Sequence, residues 1–302
     1  MKRKLVVRLK GGLGNQLFCY ATARRLALKN DAELVLDHVS GFRYDYLYQR
    51  RFGLTGFNIS ARLAKPIELF EPLPRLERYL TRKWSQIQPW GRQRYIEQIG
   101  VEFDERLISL KLQSGTTWFD GFGQSERYFE DVQDVIRNDL RLTLPITAEN
   151  QLTREKMRSE PSACLHLRWF DSNKPDSPLN MPLAYYEKAI KHLVGLVPSV
   201  HFYIFSDNTL HARQRLSPLL QKLPHTYVDH NQLTDPMQDF WLMTQCDHFI
   251  ISNSTYAWWS AWLGEQVNGM TRIIAPANYL DPSHAVTAWG FPYLLPNRWI
   301  IL

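Results

Sequence analysis

The sequence predicts an α/β protein built from two Rossmann-like lobes, each with a parallel, doubly wound sheet, and with a cleft between them. Three observations support this fold class. The length of 302 residues suits two compact domains of about 150 residues each. The N-terminal segment has the pattern of a strand, a glycine-rich turn and a helix, and the C-terminal half alternates strand and helix patterns. We place the boundary between residues 1–155 and 156–302, in the polar stretch before Pro161.

The first lobe opens with a strand over Leu5–Leu9, which the glycine-rich turn at 11–14 ends before a helix that starts near Gln16. Apolar side chains at positions 17, 18, 21 and 28 fall within one arc of that helix, so it can pack on a sheet. The next strand is predicted over Glu33–Asp37. This opening is typical of nucleotide-binding folds, in which loops at the carboxyl ends of parallel strands form the site.

Residues 38–100 have no regular pattern, but their second half is basic and aromatic. Residues 74–95 carry six basic side chains against the single acid Glu77, interleaved with two tyrosines and two tryptophans. Such a segment can contact an anionic membrane surface, where cations meet headgroups and indoles occupy the interface. The alternative is a solvated, positively charged loop, and the sequence does not choose between the two.

The second lobe shows a clear alternation of strands and helices. Strands are predicted over 163–168, 201–206, 226–229, 248–252 and 272–275, and helices near 182–196, 209–222, 236–245 and 255–266. Parallel neighbouring strands need crossover connections of this kind, so the alternation predicts a parallel, doubly wound sheet.

Composition limits the cellular setting and the partners. Arg8 and Lys10 interrupt the apolar run that a signal peptide would need, and no stretch approaches the roughly 18 apolar residues of a spanning helix. We therefore expect a cytoplasmic protein, peripheral at most to the inner face of the membrane. The three cysteines are scattered, which indicates buried free thiols. The net charge of +6 suits an anionic partner, whether nucleotide, phospholipid surface, lipid-linked pyrophosphate or nucleic acid.

The glycine-rich turn is the first candidate site. Gly12 and Gly14 let the backbone approach a ligand closely, and Asn15 and Gln16 can hold sugar hydroxyls. Glycines after a strand more often form just a tight turn, so this motif alone is a weak indication of a site.

Three further polar clusters follow predicted strands of the second lobe. His166 and Arg168 lie on the same face of their strand, and a guanidinium matches phosphate in charge and geometry, although Arg168 could instead pair with Asp171. Asp207 ends the next strand, where it and its neighbour Asn208 can cap the following helix. The run Ser252-Asn253-Ser254-Thr255 opens a helix with more polar groups than a cap needs, so it can form an anion cradle.

Taken together, these segments resemble the family 11 glycosyltransferases, the α-1,2-fucosyltransferases, over most of the chain. The resemblance rests on the turn at 11–16 with Tyr20-Ala21, on Asp120–Phe129, on His-x-Arg at 166–168 and on Ser252–Trp259. It implies a GT-B fold, GDP-fucose held by the C-terminal lobe and the acceptor sugar by the N-terminal lobe. It also implies inversion at the fucose carbon with no metal and no cofactor.

The resemblance further implies individual roles. His166 would meet guanine or ribose, Arg168 the β-phosphate, and Asp239 the guanine edge, while Asp207 also belongs to the donor side. The phosphates would be held by Ser254, Thr255 and Tyr256. Gly12, Gly14, Asn15 and Gln16 would face the fucose or the acceptor.

This sequence departs from the family pattern at Trp169, where a second arginine usually follows the first. Either that arginine is dispensable, or another cation such as Arg8 or Lys10 completes the charge stabilisation. Asp171 and Asp37 are candidates for the catalytic base, unless a dissociative step needs little assistance from a base.

The sequence also contains no Asp-x-Asp pair, which many glycosyltransferases of the other major fold use to hold a metal ion against the diphosphate. An arginine would then carry that electrostatic role. We expect the acceptor to be a galactose 2-hydroxyl in an O-antigen or lipopolysaccharide-type glycan; another linkage or sugar nucleotide is the alternative. Nucleic-acid binding through residues 74–95 would leave the clusters of the second lobe unexplained, so we expect no nucleic-acid partner.

Overall fold

The computed structural model describes residues 2–170, 177, 179–231, 236–266, 269–277 and 289–302. The chain forms two compact α/β units. Unit 1 comprises Met1–Thr143 with Pro292–Leu294, and unit 2 comprises Leu144–Phe291 with Leu295–Leu302.

Unit 1 contains a five-stranded parallel sheet with strand order β3-β2-β1-β5-β4. Its elements in chain order are β1 (Arg3–Arg8), α1 (Leu13–Lys29), β2 (Ala32–Asp37), β3 (Arg62–Leu63), α2 (Pro74–Gln86), β4 (Tyr95–Glu97), β5 (Gly115–Asp120) and α3 (Gln133–Asp139). The predicted opening of strand, turn, helix and strand is confirmed. Between β2 and β5 the sequence had indicated no elements, and the structure places two short strands and α2 there.

The opening forms because β1 and β2 are apolar runs that can be buried on both faces. Leu5, Val6 and Val7 are inaccessible to solvent, as a central parallel strand requires. Gly11 then adopts a φ of +77°, a left-handed conformation that glycine enters without steric cost. This turn lets α1 begin at Leu13, three residues before the predicted start.

Unit 2 contains a six-stranded parallel sheet with strand order β11-β10-β9-β6-β7-β8. Its elements are α4 (Ala148–Ser159), β6 (Ser162–Leu167), α5 (Leu183–Leu196), β7 (His201–Ser206), α6 (Thr209–Leu220), β8 (His225–Tyr227), α7 (Pro236–Met243), β9 (His248–Ile250), α8 (Thr255–Gly264), β10 (Ile273–Ala275) and β11 (Ile300–Ile301). Every strand and helix predicted for this half is present within three residues of its predicted bounds.

The boundary between the units lies at Thr143/Leu144, earlier than the predicted position after residue 155. The cause is α4, which packs on α7 of unit 2 through Asn150: its side-chain amide donates to Gln238 Oε1 at 2.9 Å. Only Asn150 and Met157 of α4 are buried. A helix with so little buried apolar surface has the composition of a polar linker, which is why the sequence favours a boundary after it.

Both sheets reverse their strand order beside a central strand. In unit 1 the reversal lies between β1 and β5, and in unit 2 it lies between β6 and β9. In open α/β sheets such a switch point forms a crevice at the carboxyl ends of the strands, where ligands bind. The fold therefore marks two places in which functional side chains are expected, one in each unit.

The remaining structural predictions concern thiols and membrane spans. Cys19, Cys164 and Cys246 are buried and free, as predicted. Burial raises the pKa of the Cys19 thiol to about 12. None of the helices within the described ranges is both long and apolar enough to cross a bilayer.

Candidate active site

His166 and Ser252 meet at the switch point of unit 2. His166 lies near the end of β6, and its Nδ1 is 2.9 Å from Oγ of Ser252, which follows β9. Burial, together with the charge of Arg168, lowers the pKa of His166 to about 3. The imidazole is therefore neutral at physiological pH and serves as a hydrogen-bonding group rather than a cation.

Arg168 follows β6 directly and is held by Asp207, which follows β7. Its Nη1 donates to Asp207 Oδ2 at 2.5 Å, and the second carboxylate oxygen accepts the backbone N–H of Trp169 at 3.0 Å. Burial raises the pKa of Asp207 above its ordinary value, although the guanidinium acts in the opposite direction. The Arg168 side chain stays 40% exposed, so an anion can still reach it. Arg168 thus pairs with Asp207, while the alternative partner Asp171 lies outside the described residues.

The start of α8 faces the same edge of the sheet. Its N-cap residue Ser254 makes no side-chain cap hydrogen bond to the helix, so this hydroxyl does not satisfy the first backbone N–H groups of α8. Beside it Asn253 is only 4% exposed, and its side-chain oxygen has no hydrogen-bond partner among the described residues. By contrast, the Asn208 side chain caps α6 by accepting from His211 N at 3.2 Å. A helix start whose N-cap serine does not cap it, next to buried polar groups, has the features of an anion site.

Tyr256 connects this helix start to α7, which carries Asp239. The Tyr256 hydroxyl donates to Pro236 O at 2.5 Å, and its ring centroid lies 6.0 Å from that of His166. Asp239 Oδ1 accepts from the Asn231 side chain at 2.7 Å. The predicted donor residues thus lie on neighbouring elements of one unit, with Thr255 as the first residue of α8.

Trp169, which stands where the family usually has a second arginine, is a core residue. It is 6% exposed, its indole N–H donates to Ser206 Oγ at 3.1 Å, and it meets the His211 ring edge-on. Arg168, by contrast, has a side chain that is 40% exposed. Tryptophan at this position therefore fills a buried site that an arginine could occupy only with a partner.

In unit 1 the glycine-rich turn is joined to the segment after β5. Asn15 Oδ1 accepts from the Gln124 side chain at 2.8 Å, which links two motifs of the family resemblance. The neighbouring Gln16 is 1% exposed and bonds three backbone groups: Gly11 O at 3.0 Å, Arg51 O at 2.9 Å and Gly53 N at 2.9 Å. Asn15 is therefore the more accessible of the two side chains. Gln16 instead holds the loop at residues 51–53 against α1 through hydrogen bonds.

We expect Gln16→Ala to lower the free energy of unfolding by about 2 kcal/mol, because it leaves three backbone groups without partners. Asn15→Ala, the matched control on the same turn, should cost less than about 1 kcal/mol. Urea unfolding of both variants measures the difference. Equal losses would contradict the structural role of Gln16.

A buried charge cluster occupies the switch point of unit 1, and sequence reasoning did not identify it. Asp120, at the end of β5, accepts from Arg8 Nη1 at 2.9 Å, Lys10 Nζ at 2.7 Å and the Tyr95 hydroxyl at 2.9 Å. Burial acts to raise the pKa of this carboxyl, but the charges of Lys10 and Arg8 outweigh it and hold the pKa well below its usual range. The available signal was the position of Asp120 at the start of one segment of the family resemblance, where the structure places the last residue of β5.

Two predictions from the sequence concern residues in or beside this cluster. Asp37, a candidate base, is 1% exposed; its carboxylate accepts from Arg78 Nη2 at 2.9 Å and is also bonded by the Ser40 hydroxyl and backbone. It is therefore poorly placed to take a proton from a substrate. Arg8 and Lys10, proposed to replace the missing family arginine, are both committed to Asp120.

The described ranges contain no group of three or more histidine, cysteine, aspartate or glutamate side chains that could hold a metal ion. Asp171, predicted as a catalytic residue, lies outside those ranges.

Comparison with known proteins agrees with this architecture. Residues 2–289 match the sequence model of glycosyl transferase family 11. An α-1,2-colitosyltransferase of Escherichia coli is 25% identical, with 92% of each chain covered. The O-antigen biosynthesis glycosyltransferase WbnK of Escherichia coli is 30% identical, covering 84% of this chain and 88% of that protein. A mutant of Arabidopsis thaliana FUT1 in complex with GDP has the same fold, with a TM-score of 0.53, 13% identity, and coverage of 98% of this chain and 75% of that one.

Two Rossmann-like units, each with polar side chains at the switch point of a parallel sheet, form a GT-B-like fold, and the family match makes the protein a glycosyltransferase. The match to the family model covers nearly the whole chain and identifies the family within that class. The chain belongs to glycosyl transferase family 11.

Proposed function

We propose that this enzyme transfers L-fucose from GDP-fucose to a sugar hydroxyl with inversion, forming an α-1,2 linkage to galactose in an O-antigen or lipopolysaccharide-type glycan. One observation carries the proposal. His166, Arg168, Asp207 and the start of α8 converge at the carboxyl ends of β6, β7 and β9, in a chain that belongs to family 11. The family and the two relatives from Escherichia coli support the O-antigen setting.

In this proposal Arg168 stabilises the leaving group. As the acceptor oxygen attacks the anomeric carbon, the bond from that carbon to the β-phosphate oxygen breaks, and negative charge develops on GDP. Asp207 holds one side of the guanidinium, which pre-orients the remaining N–H donors. A donor that is already in position needs little reorganisation as the charge develops, so its contribution to the transition state is large.

The start of α8 would hold the phosphates. Its first backbone N–H groups and the positive end of the helix dipole favour an anion, with Ser254, Thr255 and Tyr256 in the same turn. The neutral His166 would donate or accept a hydrogen bond to guanine or ribose, and Asp239 would bind the guanine edge. The guanidinium and the helix start would together neutralise the diphosphate, so we propose transfer without a divalent metal.

Asp171 stays our candidate for the base that takes the proton of the acceptor hydroxyl. Because Asp37 is buried and saturated with hydrogen bonds, we do not propose it for that role. Asn15 would contact the sugar beside the glycine-rich turn, where Gly12 and Gly14 allow close approach.

Nucleotide titration tests the proposed donor. Isothermal titration calorimetry with GDP, UDP and ADP should show tight binding of GDP alone, unchanged by a chelator. Tighter binding of UDP or ADP would overturn the proposal of a guanosine donor.

Ser254→Ala separates ligand binding from helix capping. The Ser254 side chain makes no cap hydrogen bond to α8, so we expect the free energy of unfolding to change by less than about 0.5 kcal/mol, whereas GDP affinity should fall about tenfold from the loss of a phosphate hydrogen bond. Asn208→Ala, the matched control, removes a real cap and should cost about 1 kcal/mol of stability with unchanged GDP affinity. Thermal unfolding and calorimetry of both variants measure the two effects, and a destabilised Ser254→Ala with normal GDP affinity would contradict the assignment.

A second donor is favoured by one observation, the similarity to the α-1,2-colitosyltransferase. Colitose is L-fucose without the 3-hydroxyl, so the two donors differ by one hydrogen-bonding group. A site that binds this hydroxyl should discriminate strongly against the deoxy sugar, whereas an apolar site would not. The ratio of kcat/KM for GDP-fucose and GDP-colitose decides between them.

A further inference from the structure

The helix α2 packs on unit 1 through a polar face. Arg78 donates to Asp37 Oδ2 at 2.9 Å and to Ser40 Oγ at 2.6 Å. About two turns further along, the buried Ser85 hydroxyl donates to Tyr95 O at 3.0 Å and accepts the Tyr95 N–H at 2.9 Å. These contacts fix which side of α2 faces the protein. They also show that residues 74–86 form a helix, so the alternative of a solvated loop is wrong for this part of the segment.

The apolar side chains of α2 lie on another side, which is open to solvent. Large apolar residues recur every three to four positions from the residue before the helix to the residue after it, and each is more than half exposed: Leu73 (55%), Leu76 (53%), Leu80 (55%), Trp84 (55%) and Ile87 (75%). At 3.6 residues per turn this spacing forms one stripe. A helix of a globular protein normally turns such a stripe inward, so this exposed stripe indicates a partner surface.

The exposed surface of α2 also carries positive charge. Arg75, Arg82 and Lys83 are exposed, whereas Arg78 faces the protein, and Glu77 is the single acid of the helix. The patch extends to the nearby loop at 44–48, because the Arg75 guanidinium lies 4.2 Å from the centroid of the Tyr44 ring. Tyr46 and Leu47 of that loop are 78% and 80% exposed. We call α2 with its flanking residues Leu73 and Ile87 and the loop 44–48 the α2 face.

We propose that the α2 face docks on an anionic bilayer surface, with α2 lying parallel to the membrane plane. The leucines and Trp84 would enter the interface, while the cations would meet lipid headgroups. A second copy of the chain fits less well, since a symmetric contact would oppose two surfaces of the same positive charge. The exposed aromatic and apolar side chains distinguish this face from a merely solvated basic helix.

Vesicle cosedimentation of the full-length protein tests the proposal. We expect binding to vesicles of phosphatidylcholine with phosphatidylglycerol, weakening as salt rises, and little binding to phosphatidylcholine alone. The double variant Leu80→Ser/Trp84→Ser should reduce the partition coefficient about tenfold or more, and Lys83→Glu should reduce it less. All these residues are exposed, so turnover of a soluble acceptor should stay unchanged.

Matched exposed sites in unit 2 provide the controls. Leu196→Ser and Lys188→Glu, both on α5, should leave vesicle binding as in the parent protein. Vesicle binding that is indifferent to anionic lipid, or equal for the parent and the double variant, would overturn the proposal. Dimerisation in sedimentation velocity that the double variant abolishes, without vesicle binding by the parent protein, would show that the α2 face binds a second copy instead.

Discussion

Arg168→Ala is expected to lower kcat/KM about 100-fold or more while the protein stays folded. Deleting one preorganised donor that stabilises developing charge raises the barrier by about 3 kcal/mol. Folding should be little affected, because the guanidinium is 40% exposed and its ion pair with Asp207 lies at the surface end of a strand. Steady-state kinetics with GDP-fucose, together with thermal unfolding, measures both effects.

Arg213→Ala is the matched control for this prediction. Arg213 is also an arginine of unit 2 with a carboxylate partner, donating to Asp229 Oδ2 at 2.6 Å, but it lies on α6 away from the ends of β6 and β9. We expect its kcat/KM to equal that of the parent enzyme. Arg168→Lys should recover only part of the activity, since an ammonium group cannot form the bidentate contact. Near-normal turnover by folded Arg168→Ala would refute the leaving-group role.

The second large effect concerns stability. Asp120→Asn should lower the free energy of unfolding by about 3 kcal/mol, because it leaves Arg8 and Lys10 partly buried without their shared counter-charge. Asp229→Asn is the matched control, since its ion pair with Arg213 is nearly half exposed on both sides and should be worth less than about 1 kcal/mol. Urea unfolding of the two variants should show this contrast, and equal losses would argue against the buried cluster.

The same carboxylate predicts a pH dependence with a defined sign. The folded-state pKa of Asp120 lies below that of the unfolded chain, which is about 3.9. Its stabilisation is therefore fully present above the unfolded-state value and is lost as the pH falls towards the folded-state value. The stability difference between the parent protein and Asp120→Asn should be constant from pH 7 to about 5 and shrink below about 4. A difference that grows on acidification would contradict the ion-pair account.

Much of unit 2 could be predicted from the sequence, because its strands are buried apolar runs separated by helical patterns. The secondary structure between β2 and β5 could not be predicted in the same way. The strands there are two or three residues long, and α2 violates the usual rule by packing through Arg78 and Ser85 while exposing its leucines. The apolar residues of such a helix recur with helical periodicity, but they face solvent instead of the core.

The sequence predicted where the candidate site lies, but it did not predict which side chains contact each other there. Polar residues directly after β6, β7 and β9 had to meet, since the carboxyl ends of parallel strands share one edge. The pairing of Arg168 with Asp207, rather than with a neighbour in sequence, depends on strand order, which no local pattern contains. The same holds for Gln16, whose buried bonds to residues 51 and 53 require the tertiary fold.

Product analysis tests the central claim most directly. The enzyme is incubated with GDP-fucose and a glycan that ends in galactose, in the presence of a chelator, and the product linkage is assigned by NMR. We predict an α-linked fucose on the galactose 2-hydroxyl, formed at the same rate with and without the chelator. No transfer from GDP-fucose to any acceptor, or transfer that stops with the chelator and returns with manganese, would contradict the proposed chemistry.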